Sequence, residues 1–413
     1  MDRIANRRYT NFFLGRGASY VHFYLIVGAL FIAQTSAQAQ HSQNTSDSLS
    51  NASLIQKSKI DFLENINMSL DLRMSFRTYT LRGGDNDYQG RQFENGFTAL
   101  GISAKIHEKV HVNFRSRFNK TSEVQSLDQL GNNIELANIT IQATPRLQVQ
   151  LGRQSAYFGG YEYSFKAMEV LRYNDIQSNA LAYVTGIGTT FNASQEHSVG
   201  FQILNSRTVL YSEKYGEDTA PDVREPDWPV ELVGNWRGSF FDGKIQTRYS
   251  LSFAQEVKDK WISFITLGHK YENNKLKLMY DFDYSSEEID TKGLATNIIG
   301  GEFIAQEVTY VENWLRAEYK FNPKFTGLLT LMTNTTYGKN IASVSSGRDR
   351  LRTSYGWIPT LYYRPFKDID IRLFVAYIGR YFEYSPLAIR DLGVGSYNEN
   401  EIRFGFIAPL RIL

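Results

Sequence analysis

The stretch Ile66-Asn67-Met68-Ser69-Leu70-Asp71-Leu72-Arg73-Met74-Ser75-Phe76-Arg77 alternates without a break. Ile66, Met68, Leu70, Leu72, Met74 and Phe76 fall on one parity; Asn67, Ser69, Asp71, Arg73, Ser75 and Arg77 fall on the other. Successive side chains of an extended chain point to opposite faces, so the segment is a ribbon with one greasy and one charged side. The same pattern returns at Val110, Val112 and Phe114 against His111, Asn113 and Arg115. It returns again at Ile245 to Phe253, and at Ile402, Phe404, Phe406, Ala408, Leu410 and Ile412 near the end of the chain. Strands of soluble sandwiches run to about 5 or 6 residues. Many of these segments approach the roughly 9 to 11 residues that a tilted strand needs to cross a bilayer.

The connections between the ribbons alternate in length. Tight turns fall at His107-Glu108-Lys109, Thr144-Pro145-Arg146, 194–197, Phe241-Asp242-Gly243, 272–275, Asn322-Pro323-Lys324 and Phe366-Lys367-Asp368. Between them lie longer links at 82–92, 120–133, 154–180, 207–228, 287–307, 338–349 and 383–398, with one short external link near Lys258-Asp259-Lys260. Short periplasmic turns and long external loops are what an outer-membrane barrel requires. Counting between the connections gives about 16 strands over residues 66–413, an all-β transmembrane antiparallel barrel. A barrel of that size encloses an aqueous channel. Alternation is poor at 260–271 and 325–337, which leaves the facing of those strands open.

Composition agrees with this reading. Aromatic residues are 14% of the chain, with 26 Tyr and 27 Phe, and there is no Cys. Phe191, Phe240, Tyr271, Phe321, Phe325 and Tyr363 flank the short turns, while Tyr79, Phe118, Tyr284 and Tyr337 lie near the opposite strand ends, as two interfacial belts would. Ahead of the barrel, Arg3, Arg7, Arg8 and Arg16 precede an apolar run from Phe23 to Ala33 and the small-x-small site Ala37-Gln38-Ala39. Residues 1–39 read as a cleavable signal peptide, and the Ser-, Asn- and Gln-rich 40–65 as a flexible periplasmic leader. Removing 1–39 takes away those four arginines and Asp2 and lowers the formal charge from +2 to −1. The charge therefore gives no reason to expect a nucleic-acid partner.

No HExxH, GxSxG or phosphate-cradling Gly-Lys-Ser/Thr motif is present, and the six His are scattered. The expectation is no catalytic residue, no metal and no cofactor. The lumen parity carries the chemistry instead. It places Arg73, Arg77, Arg115, Arg117, Arg237, Arg248, Arg316, Arg372 and Arg403 on the pore wall, together with Arg352, Arg364, Arg380, Arg411, Lys105, Lys277 and Lys320. Acids on that parity are fewer: Asp71, Glu231, Asp281, Asp283, Glu312, Glu318, Asp370 and Glu401. A surplus of guanidinium groups in a water-filled tube favours small anions, although arginines and acids can also pair across strands to stiffen the wall.

The longest link, 154–180, contains Phe158-Gly159-Gly160-Tyr161-Glu162-Tyr163, then Lys166, Glu169 and Arg172. Paired glycines permit a fold-back and aromatics can wedge it against the wall, so the link is expected to turn into the barrel and constrict it. Leu151-Gly152-Arg153-Gln154 followed by this stretch resembles the start of the constriction-loop region of the phosphate-selective porin O and P family. The resemblance extends loosely over 66–413 through strand count and loop order. It implies a trimer of 16-stranded barrels in outer-membrane lipid, with an arginine-rich path for phosphate or similar anions. Its positions here are Arg153 and Gly159-Gly160, with Tyr161, Lys166 and Arg172 as further constriction-loop candidates; beyond Lys166 the loop has few lysines. The competing expectations are a surface-binding or adhesive barrel with a closed lumen, and a barrel enzyme acting on lipid or surface polymer.

Overall fold

The computed structural model describes residues 64–83, 87–216, 223–300, 303–339 and 348–413. The proposed signal peptide and nearly all of the leader lie outside the described residues. Sixteen strands follow in chain order. The first eight are β1 (Ile66–Arg82), β2 (Tyr88–His107), β3 (Val110–Arg117), β4 (Ile134–Gln142), β5 (Leu147–Ser155), β6 (Tyr183–Asn192), β7 (His197–Asn205) and β8 (Val230–Phe240). The second eight are β9 (Ile245–Val257), β10 (Lys260–Glu272), β11 (Leu276–Ile289), β12 (Gln306–Lys320), β13 (Phe325–Lys339), β14 (Arg348–Tyr363), β15 (Arg372–Tyr384) and β16 (Tyr397–Arg411). Each pairs antiparallel with its sequence neighbours, and β1 pairs with β16 from Ser69↔Arg411 to Arg82↔Asn398, closing the barrel without an edge. Closure matters because an open edge in hydrocarbon would leave a row of unpaired backbone groups.

Among the described residues five short helices lie in the long links: α1 (Tyr161–Ser164), α2 (Asp175–Asn179), α3 (Tyr211–Tyr215), α4 (Leu294–Ile299) and α5 (Pro386–Leu392). Among the described residues no helix is long and apolar enough to cross a membrane; the spanning elements are strands.

The outward parity is apolar and exposed, with Met74, Ile187, Phe201, Leu251, Leu331 and Phe404 each at least 40% accessible. Such a surface on a water-soluble protein would be one continuous aggregation patch; around a barrel it is the lipid face. The inward parity departs from the uniformly polar face expected of it. On the external half of the barrel Val184, Leu204, Val233, Phe264, Val308, Tyr310 and Leu351 all point inward and are buried. They pack against Phe158 and Ile176 of the 154–180 link and against Ala295 and Ile298 of α4. Loops thus build a dry core inside the outer half of the barrel. This explains the poor alternation of β10 and β13: Phe264 and Met332 face loop side chains on the inside while Leu267 and Leu331 face outward, so both faces are apolar. The strands expected at 94–106 and 275–286 also run longer, to Tyr88–His107 and Leu276–Ile289.

Candidate functional site

The link after β5 folds into the barrel, as its length and glycines imply. Its base is closed by Ala156 N–H donating to Ala182 O at 3.0 Å. Gly159 follows with φ +82, a left-handed conformation that suits glycine, and its N–H donates to Ser250 Oγ at 3.0 Å. At Gly160 a Cβ would stand 2.2 Å from Asp281 Oδ1, so only glycine lets the loop backbone approach β11 this closely. The glycine pair is therefore the fold-back itself.

Beyond the glycines the loop crosses to the far wall and is pinned at intervals. Glu162 N–H donates to Asp281 Oδ2 at 2.7 Å, and Ile176 N–H to Glu312 Oε1 at 2.5 Å. Asn174 caps α2 and its amide donates to the backbone oxygens of Asn313 and Thr333. Asp175 accepts from Arg352 at 2.9 Å, Arg380 at 2.8 Å and Ser354 at 2.9 Å. Glu169 pairs with Arg372 at 2.7 Å, Arg172 with Glu399 at 2.7 Å, and Lys166 lies 3.5 Å from Asp71. Arg73 donates to the carbonyls of Val170 at 2.6 Å and Met168 at 3.1 Å, and Arg316 lies over the Phe165 ring at 4.2 Å. Burial alone would raise the Asp175 and Glu169 carboxyls; Arg380 and Arg352 beside the first, and Arg372 beside the second, outweigh it and hold both below the usual range.

The loop thus lies against β9 to β16 and β1, and leaves open space on the opposite side. A cavity of about 420 Å³ lies between it and the inner faces of β3, β4 and β5, reaching Tyr183 on β6, Arg237 on β8 and Arg248 on β9. Its charged lining is seven cations, Arg115, Arg117, Lys120, Arg153, Lys166, Arg237 and Arg248, against the single carboxylate Glu135. Arg115 is neutralised by Asp71 at 3.0 Å and Glu135 at 3.2 Å, and Arg153 by Asp128 at 3.0 Å. Arg117, Lys120, Arg237 and Arg248 make no ion pair among the described residues; Arg117 lies over the Phe97 ring at 4.6 Å and donates to Asn119 at 2.9 Å. Arg237 and Arg248 are direct cross-strand partners, a juxtaposition of like charges that costs stability when nothing sits between them.

The residues expected on the pore wall therefore divide by task. Arg115, Arg117, Arg237 and Arg248 line the cavity, joined by the loop candidates Arg153 and Lys166. Arg73, Arg316 and Arg372 hold the loop from the other side, and Arg77 and Arg403 engage Glu94 and Glu401. Tyr161 lies under Arg248 at 5.2 Å, and Arg172 faces β16 through Glu399. Sequence reasoning did not single out Lys120 or the cavity tyrosines Tyr157, Tyr173 and Tyr183. The recurrence of tyrosine through 157–183 was the available signal. Among the described residues no group of three or more His, Cys, Asp or Glu is arranged to hold a metal ion.

Comparison with known proteins agrees with this architecture. No curated protein matches the chain significantly. Among solved structures, the outer membrane channel DcaP of Acinetobacter baumannii superposes with a TM-score of 0.58 at 13% identity, covering 86% of this chain and 99% of that one. OprB of Pseudomonas putida, at 11% identity, reaches 0.49 over 83% of this chain and 94% of that one. The family model described as phosphate-selective porin O and P matches residues 66–403. On a closed 16-strand barrel, a match over most of its length shows that the chain belongs to that family, a porin of the bacterial outer membrane.

Proposed function

We propose that this porin passes small hydrophilic anions, phosphate or similar, down their gradient. The observation that carries the reading is the charge of the cavity lining, seven cations to one carboxylate, with four of the cations free of ion pairs among the described residues. Guanidinium groups keep their charge at any physiological pH and present a fork that matches phosphate and carboxylate oxygens. In a narrow lumen such groups lower the energy of an anion and raise that of a cation. Diffusion of this kind uses no catalytic residue and no cofactor. In the same reading residues 1–39 are removed as a signal peptide, 40–65 form a periplasmic leader, and three copies assemble through part of the apolar outer face.

The test is the reversal potential of single channels in a planar bilayer under a salt gradient. An anion-selective potential is the expected result, and a cation-selective one removes the anion preference. The closed, adhesive barrel draws support from the dry core that loops build in the outer half. It predicts no conductance at all in the same bilayer.

A further inference from the structure

Glu162 lies where the loop presents a carboxyl to a wall of carboxyls. It is fully buried, and its Oε1 accepts from Asn174 N–H at 2.8 Å while its own N–H binds Asp281. Asp283 is two residues along β11 on the same face, and stands in register opposite Glu312 of β12. Asp283 Oδ1 accepts from Thr266 Oγ1 at 2.5 Å, and Glu312 Oε1 from Ile176 N–H and Asn334 Nδ2. The remaining oxygens, Glu162 Oε2, Asp281 Oδ1, Asp283 Oδ2 and Glu312 Oε2, accept no hydrogen bond from the described residues, and all four side chains are at most 1% exposed.

Every surrounding element supplies too little positive charge. From β14 and β15, Arg352 and Arg380 are both committed to Asp175. From β9, Arg248 lies over the Tyr161 ring, with Arg237 of β8 beside it in register. From β10, Thr266 and Gly268 face the cluster while Lys270 pairs with Glu272 at 2.9 Å. From β13 come the uncharged Asn334 and Thr336. No metal-holding arrangement is present among the described residues. Ionised carboxyls packed in a dry interior, with Arg248 and Arg380 too few to offset all of them, repel strongly, and a proton is the remaining neutraliser.

We propose that Glu162 is a proton-operated latch for the inward loop. With its proton, the Glu162 carboxyl donates to one of the free wall oxygens, and the loop stays docked on β11 and β12. Without it, the loop is repelled from Asp281, Asp283 and Glu312 toward the open side, the cavity facing β3 to β5, and narrows the passage. Burial pushes the Glu162 carboxyl well above its usual range, which agrees with a docked state that keeps the proton. The protonated form is the one docking favours. The contribution of Glu162 to docking is therefore complete below the ordinary value of 4.5 and is lost as pH rises through the raised one.

The experiment uses the full mature chain at pH 6 and pH 9, with two readouts. The first is single-channel conductance; the second is the mobility of a spin label at S178C, an exposed loop position in a chain that has no cysteine of its own. For the wild type the expected result is a several-fold fall in open conductance with frequent closures at pH 9, and a more mobile label. E162Q keeps a donor and cannot ionise, so it should match the wild type at pH 6 and hold those values at pH 9. E162D remains ionisable and should keep the response. A wild type unchanged between the two pH values, a conductance that rises at pH 9, or an E162Q that responds like the wild type would overturn the latch. A label that responds in a barrel that never conducts supports the latch and removes the channel.

Discussion

Arg237 and Arg248 face each other across β8 and β9 with no acid between them, although a cross-strand pair of like charges is a costly way to build a wall. Other arginines of the same lumen are neutralised by acids: Arg153 with Asp128, Arg380 with Asp175, Arg403 with Glu94. The exception sits on the cavity, where a passing anion can supply the missing charge. A unit charge about 4 Å from an ion's path changes the ion's energy by about 1 kcal/mol in water, close to fivefold in partition. R237Q and R248Q should therefore each lower the anion-to-cation permeability ratio by about fivefold at low salt, with the effect shrinking as salt screens the lumen. Conductance itself should change less, because both substitutions leave the strands and the inward loop in place. An unchanged reversal potential in both variants would mean that ions do not pass between these two strands.

The inward loop is the element in which two pH responses of opposite sign meet. Asp175, on α2, is held below the usual carboxylate range by Arg380 and Arg352 against the effect of burial. A carboxyl depressed in this way stabilises docking above its ordinary value of 3.8 and loses that contribution as pH falls through the lowered one. Strong acid should therefore loosen the loop at the Asp175 contacts of α2, while alkali loosens it along β11 and β12, from α1 to the Glu312 contact of Ile176. D175N leaves two buried guanidiniums without their counter-charge, a change that costs about 3 to 5 kcal/mol when a buried pair is broken from one side. That cost falls on docking rather than on the strand ladder. The S178C label should then be mobile in D175N already at pH 6, with the urea midpoint of the barrel nearly unmoved; a label as rigid as in the parent would show that α2 is held by its other contacts. The loop also marks the limit of what the sequence revealed. Its length, its glycine pair and Arg153 were legible because backbone reversal needs particular residues at particular places. The pairs Asp283 with Glu312 and Arg237 with Arg248 were not, because they exist only through strand register. The inner faces of β10 and β13 were illegible for a related reason: their partner is a loop from elsewhere in the chain, so apolar residues fall on both parities and the period of two fades.

At the scale of the whole molecule, the barrel exchanges the inside and outside of an ordinary protein. Water and charge occupy part of the centre, loops fill the rest, and the widest apolar surface faces outward. The same residue therefore has different consequences on the two faces, and this separates a membrane barrel from a soluble one. Leu251 lies midway along β9 and Leu331 midway along β13, both pointing outward and about two-fifths exposed. On a soluble barrel L251R and L331R would place charge in water and leave stability within about 0.5 kcal/mol of the parent. At the midplane of a bilayer each should cost about 2 to 4 kcal/mol. The inward Ser250, next to Leu251 and covered by the inward loop, offers the control: Arg at that position meets the loop and lumen rather than hydrocarbon, although it removes the hydroxyl that receives Gly159 N–H. Urea titrations in lipid vesicles should rank both outward variants well below S250R, and should show S250R acting mainly on loop mobility. If L251R and L331R unfold at the same urea concentration as the parent, lipid does not contact these strands. In that case the charged cavity could not be the lining of a transmembrane pore.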